Sequence, residues 1–131
     1  MSYRIPSTSP DYNPLGGAVQ NFDLAFGTQA AATATGAVAI KEGTLFLTYA
    51  GVVAFTLAAP TAGAQSAGGD DGRELTVIDV GGHAHTITTP ANKINGNKLT
   101  ATFGGTVGQF GVFIAYGGIW YLAAQSGVTL S

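Results

Sequence analysis

No cysteine occurs among the 131 residues of this chain, so neither a disulfide nor a thiolate-held metal can contribute to the fold, and cysteine usage does not reveal the redox compartment. Charge is nearly as scarce. Asp, Glu, Lys and Arg make up 9% of the residues, against a usual share of about 25%. The five basic residues, Arg4, Lys41, Arg73, Lys93 and Lys98, are scattered, and the net charge is −2. They form no stripe able to neutralise phosphates, which argues against a nucleic-acid partner. No apolar run reaches the roughly 18 to 20 residues of a membrane-spanning helix, and the N-terminus lacks the basic region and apolar core of a signal peptide. The expectation is a chain made in a cytoplasm, with no membrane partner.

What is present is small and apolar. Hydrophobic residues make up 46% of the chain, and a surface so poor in charge would expose broad neutral patches if it stood alone. Cover by other chains, and hence a role in an assembly, is the expectation. The length suits one domain with an arm, because a compact domain of this size buries roughly two-thirds of the surface its unfolded chain exposes.

Residues 1–35 differ from the rest. Pro6, Pro10 and Pro14 stand in a Ser/Thr/Asn/Gly background that excludes a continuous helix. Large apolar residues, Tyr3, Ile5, Tyr12, Leu15, Val19, Phe22, Leu24 and Phe26, are spaced as anchors along an extended strand. The segment reads as an arm that lies either on a partner surface or back on its own domain. The alanine-rich stretch from Gln29 to Gly36 is too short and too interrupted by Thr for a stable helix, and reads as a linker or a first strand.

From residue 36 to residue 131 the pattern is that of short strands punctuated by glycine. Val53, Phe55 and Leu57 alternate with Ala54 and Thr56, and Pro60 ends that run because it has no amide hydrogen for a ladder. Asp70 to Thr88 predicts a central hairpin: Asp71-Gly72 signals a turn with positive φ, Leu75, Val77 and Asp79 share one face, Gly81-Gly82 turns the chain, and the next strand starts at His83. Later runs put Phe110, Val112, Ile114 and Tyr116 opposite Phe113 and Ala115. Trp120 reads as a packing residue, and Val128 with Leu130 as a last edge strand. The whole predicts an all-β fold, a single compact β-sandwich or β-barrel-like (β-tulip-like) domain with an extended N-terminal arm.

Few residues suggest chemistry. Ala62 to Asp71 is glycine-rich but lacks the Gly-Lys-Ser/Thr ending of a phosphate loop and the helix that should follow it. Asp70 and Asp71 read as turn residues, and Glu74 beside Arg73 as a solvated strand start. Asp79 could approach a histidine across the hairpin, yet no Gly-x-Ser-x-Gly elbow offers a nucleophile. No enzyme, catalytic residue or cofactor is expected. His83 and His85 are two apart on a predicted strand, and as two ligands they are too few for a metal in one chain.

Leu57-Ala58-Ala59-Pro60-Thr61-Ala62-Gly63, Asp71-Gly72-Arg73-Glu74-Leu75-Thr76-Val77, His85-Thr86-Ile87-Thr88, Thr102-Phe103-Gly104-Gly105 and Gly118-Ile119-Trp120-Tyr121 together resemble small structural domains of tailed-bacteriophage virions. The resemblance covers about Val38 to Thr129. Given the length of the chain, the capsid decoration, or cement, proteins are the members it is most like. That resemblance implies a homotrimer seated on the exterior of the capsid, where it stabilises the shell by binding the major capsid protein. The arm residues Tyr3, Arg4, Ile5, Pro6, Tyr12, Leu15 and Phe22 would grip neighbouring subunits. A trimeric tail-fibre or receptor-binding module of the virion is the alternative, and in it three copies of His83 and His85 would resemble the His-x-His iron sites of trimeric fibres and spikes. Structural histidines are the preferred expectation.

Overall fold

The computed structural model describes residues 29–32 and 35–131. Its ten strands are β1 (Gln29–Ala32), β2 (Gly36–Ala37), β3 (Gly43–Leu47), β4 (Ala54–Thr56), β5 (Glu74–Asp79), β6 (Thr86–Thr88), β7 (Thr100–Phe103), β8 (Phe110–Tyr116), β9 (Ile119–Ser126) and β10 (Val128–Leu130). Two single 3₁₀ turns, at Gln65–Ala67 and Pro90–Asn92, are the described helical pieces.

The strands form two five-stranded sheets, one in the order β9-β8-β5-β3-β1 and the other β10-β7-β6-β4-β2. From β1 to β6 the chain changes sheet at every step. As a result β1, β3 and β5 are parallel neighbours in the first sheet, and β2, β4 and β6 in the second. Each successive pair of strands is therefore one coil of a short solenoid, and three coils stack. The remaining four strands complete the sheets in antiparallel fashion, β8 and β9 on the first and β7 and β10 on the second.

The all-β expectation holds in its sandwich form. No barrel closes, because β1 and β2 stand at one edge of the two sheets and β9 and β10 at the other. Gln29–Ala32 takes the first-strand option, and Val128–Leu130 is an edge strand as expected. The central hairpin, by contrast, does not form: β5 and β6 lie in different sheets, and His83 precedes the strand, which begins at Thr86. The six residues 80–85 between them are a corner rather than a two-residue hairpin loop. Alternation fixes which side of each run is apolar, but it is silent on which strand pairs with which.

Between the sheets lies one core. Leu45, Leu47, Leu75, Val77, Phe113, Ala115 and Trp120 face inward from the first sheet, and Phe55, Ile87, Ala101, Phe103 and Val128 from the second. Trp120 is fully buried and its indole N–H donates to the Ala58 carbonyl at 2.9 Å, so it packs the core and ties β9 to the end of the second coil. Leu57 and Val53 are buried on either side of Phe55, as their alternation predicts, whereas Tyr49 and Leu99 are exposed beyond the ends of their strands.

The two outer faces differ in chemistry. On the second sheet, Thr86 and Thr102 pair in one row with Ala54 and Thr129, and Thr56, Thr88 and Thr100 make the next. The Thr88 and Thr100 hydroxyls are 3.1 Å apart, a cross-strand pair that suits a solvated sheet. On the first sheet the corresponding rows are Phe46–Ile78–Phe110, Thr44–Thr76–Val112 and Glu74–Ile114–Tyr121.

Candidate functional site

The polar groups that the fold withdraws from solvent gather at the corners of the coils. At the third corner, Asp79 ends β5 in register with Leu47, a position where the stack would otherwise carry an apolar side chain. It is fully buried. Its Oδ1 accepts the Gly82 N–H at 2.8 Å, while the Val80 and Gly81 amides both donate to the Leu47 carbonyl. The corner is thus pinned to the coil beneath it. Gly82 sits at φ +74°, where a side chain would be strained and would also crowd Val107.

His85, also fully buried, completes that corner. Its Nδ1 accepts the Val53 N–H at 3.2 Å, the Thr86 N–H donates to the Val53 carbonyl, and the Phe103 N–H donates to the His85 carbonyl. The imidazole therefore serves as a ladder acceptor where the parallel pairing of β4 and β6 begins. Because Nδ1 accepts, the hydrogen of the neutral ring is on Nε2, which faces Asp79 Oδ1 at 3.7 Å, beyond hydrogen-bonding length. Nε2 and Asp79 Oδ2 have no partner. Burial pushes the His85 imidazole below its ordinary value, with the Asp79 charge opposing and His83 adding to the shift. The ring is neutral at pH 7.

This arrangement limits what the pair can do. A relay needs one imidazole nitrogen on the carboxylate and the other on a nucleophile, but here the second nitrogen is occupied by a backbone amide. The two histidine rings, 5.9 Å between centroids, stand edge to face. With His85 enclosed and its Nδ1 committed, they do not present two imidazoles to a shared outer ligand. Among the described residues no group of three His, Cys, Asp or Glu side chains comes together as a metal site.

A second polar centre joins the start of β3 to the turn before β5. Asp70, only 4% exposed, accepts from the Thr61 N–H at 2.7 Å and from Lys41 Nζ at 3.1 Å on Oδ2, and from Arg73 Nε at 2.8 Å on Oδ1. Arg73 continues to Glu42. The Thr61 amide, with help from Lys41 and Arg73, holds the Asp70 carboxyl down at about 2 although burial opposes it. Asp71 instead accepts the Gly117 N–H at 2.9 Å, linking this turn to the β8–β9 turn. Glu74 is exposed, as a solvated strand start should be. Reading Asp70 as a turn residue missed its role. The available signal was that Lys41-Glu42 and Asp70 to Glu74 are the two densest groups of charge in a sequence that has little.

The arm residues Tyr3, Arg4, Ile5, Pro6, Tyr12, Leu15 and Phe22 lie outside the described residues. The structure does place the point at which that segment joins the domain. It leads into β1, the edge strand of the first sheet, beside β2, the edge strand of the second. Compared with known proteins, the chain matches no family model and no curated protein.

Proposed function

We propose that this chain is a structural protein of a tailed-phage virion, a capsid decoration protein that binds the assembled shell as a homotrimer and stabilises it. In this reading it sits on the capsid exterior against the major capsid protein, and residues 1–26 are the grip. The observation that supports it is the parallel edge that β1 and β2 form among the described residues, where that segment enters. Unpaired main-chain groups at a sheet edge can accept an added strand, and an extended segment beside them can pair with an edge on a neighbour while its isolated aromatic residues fill pockets. A protein that binds only the assembled shell stabilises it by mass action, about 2.7 kcal/mol per site when free protein is a hundredfold above its dissociation constant.

The test is deletion of residues 2–17, assayed by co-sedimentation with expanded shells of the cognate major capsid protein. Because the described core starts at β1, the truncated chain is expected to fold and to lose shell binding by orders of magnitude. Equal binding and equal protection of the shell from heat would sink the proposal.

One observation favours the alternative, a trimeric tail-fibre or receptor-binding module. The three coils stacked among the described residues form the kind of array that extends by adding further coils. Locating the protein in a map of the virion separates capsid from tail.

A further inference from the structure

We infer that the outer face of the first sheet, the surface of β9, β8, β5 and β3, is where copies of this chain pack against one another. The inference takes the self-association in the function proposed above and assigns it a surface; it does not depend on the capsid. The face carries Phe46, Ile78 and Phe110 side by side across three strands. Val112, Ile114 and Tyr121 extend it toward the β8–β9 turn, and Tyr116, 65% exposed, stands at its end. Glu74, at the margin, is its one charge among the described residues. Phe46, Ile78, Phe110, Val112 and Ile114 are half-buried on this face and Tyr121 is exposed, and the cost of leaving their remaining apolar surface in water scales with its area.

The opposite face of the same molecule shows what a solvated outer surface looks like in this fold. There the outward positions of β4, β6, β7 and β10 are Ala54 and six threonines. Both faces are built on the same strand spacing in one domain, so the difference lies in what each meets. Four strands about 4.8 Å apart and five to eight residues long span roughly 19 by 21 Å, on the order of 400 Å² a side in flat projection. Two such faces, with protruding side chains adding to the projected area, reach the lower range of specific interfaces, near 1,000 Å².

The occupant is a second copy for a chemical reason. A partner of another kind is usually selected by complementary charge or by hydrogen bonds at the interface, and this face offers one carboxylate, Glu74 at its margin, with Thr44 and Thr76 as the polar side chains between its apolar rows. It offers a largely apolar surface against which the same surface of other copies can pack. The net charge of −2 opposes such pairing only weakly.

The experiment uses the full chain at micromolar concentration, with mass measured by sedimentation equilibrium and folding followed by the near-ultraviolet signal of the buried Trp120. The wild type is expected to be an oligomer. Ile78→Lys, in the middle of the face, is expected to weaken association at least a hundredfold with the Trp120 signal kept. Tyr121→Glu, at an exposed position, serves as the second variant should Ile78→Lys fail to fold, and Thr102→Lys on the threonine face is expected to change nothing. An oligomer that tolerates both Ile78→Lys and Tyr121→Glu overturns this surface and leaves self-association standing elsewhere. A monomeric wild type overturns both the surface and the homotrimer. A wild-type monomer that oligomerises once residues 2–17 are deleted also overturns it, and assigns the face to the chain's own arm.

Discussion

The stacked coils of β1 to β6 and the antiparallel strands β7 to β10 share one core but close their chain reversals by different means. Parallel strands need crossings, and each crossing leaves backbone groups at a corner without a ladder partner. Here side chains supply the partners: Asp79 takes the Gly82 amide, His85 takes that of Val53, and Asp70 takes that of Thr61. The antiparallel strands turn chiefly on glycine, with Asp71 taking the Gly117 amide and Gln125 that of Val128. Gly117 and Gly118 at φ +61° and +82°, and Gly127 at +71°, make their reversals, and from residue 99 to residue 131 the sequence holds no charged residue at all. A solenoid corner thus draws on carboxylate and imidazole side chains withdrawn from water, and a tight turn on glycine with a more exposed side-chain acceptor.

The hardest blow to the partnership of the two regions should come from Trp120→Ala. It empties the largest core position and removes the indole hydrogen bond to Ala58. A loss of about 3–5 kcal/mol is expected for an aromatic truncation of this kind, read by chemical denaturation, with coils and antiparallel strands unfolding together. A loss under 1 kcal/mol would mean that the two regions do not share a core.

Substituting His85 with Ala attacks the coils alone. It leaves the Val53 amide buried without an acceptor and opens space beside Phe55, for an expected loss of about 2–4 kcal/mol. Hydrogen exchange should show β4 and β6 losing protection first, while the β8–β9 pair keeps most of its own. Uniform loss would erase the distinction between the regions.

Acid should make the same separation without mutation. His85 is held below its ordinary 6.5 in the fold, so the unfolded chain binds the proton more readily, and stability falls as pH drops from about 6.5 through the lower folded value. Asp70, at about 2 instead of 3.8, contributes stability above pH 4 that is lost as pH falls from there through about 2, on the order of 2 kcal/mol in all. Both groups lie in the coil region, so the first step is expected to vanish in His85→Gln and the second to shrink in Asp70→Asn, each monitored by thermal melts across pH. A pH profile unmoved by either substitution would remove the electrostatic half of the comparison.

The smallest effect is expected where the two regions meet on the threonine face. Thr88 belongs to β6 and Thr100 to β7, and Thr88→Val removes their hydroxyl pair. Cross-strand pairs of this kind are worth roughly 0.2–1 kcal/mol, so a change within that range in a denaturation midpoint fits, and a larger one would make the face structural rather than solvated.

Much of the strand content was legible in the sequence, because period-two alternation reports burial directly. The alternation over 53–57 picked out the inward residues Val53, Phe55 and Leu57, and Trp120 was rightly read as a packing residue, whereas 110–116 is apolar on both sides and left open which of them faces inward. What could not be read was pairing. The run around Leu75 and the run around Ile87 are each apolar on one side whether they face each other in a hairpin or belong to opposite sheets, and only the length of the 80–85 corner hinted at the second. Asp79 showed itself as an acid on an apolar face and Asp70 did not, since an Asp-Asp-Gly turn looks the same whether its first carboxylate meets water or two cations. The proximity of Asp79 to a histidine was foreseeable; that the imidazole's other nitrogen would serve the backbone was not.

The placement of β1 and β9 at opposite edges has a mechanical meaning. Tension between the N-terminal segment and a body held by its far edge acts across the strands, so ladder bonds are peeled one after another instead of being sheared together. The outermost coil, with strands of four and two residues, would open before the longer strands behind it. Its residues 29–42, once extended, would add roughly 45–50 Å of reach. A tether that can lengthen by that much without dismantling the core would let the N-terminal segment be drawn away while the sandwich behind it stays folded.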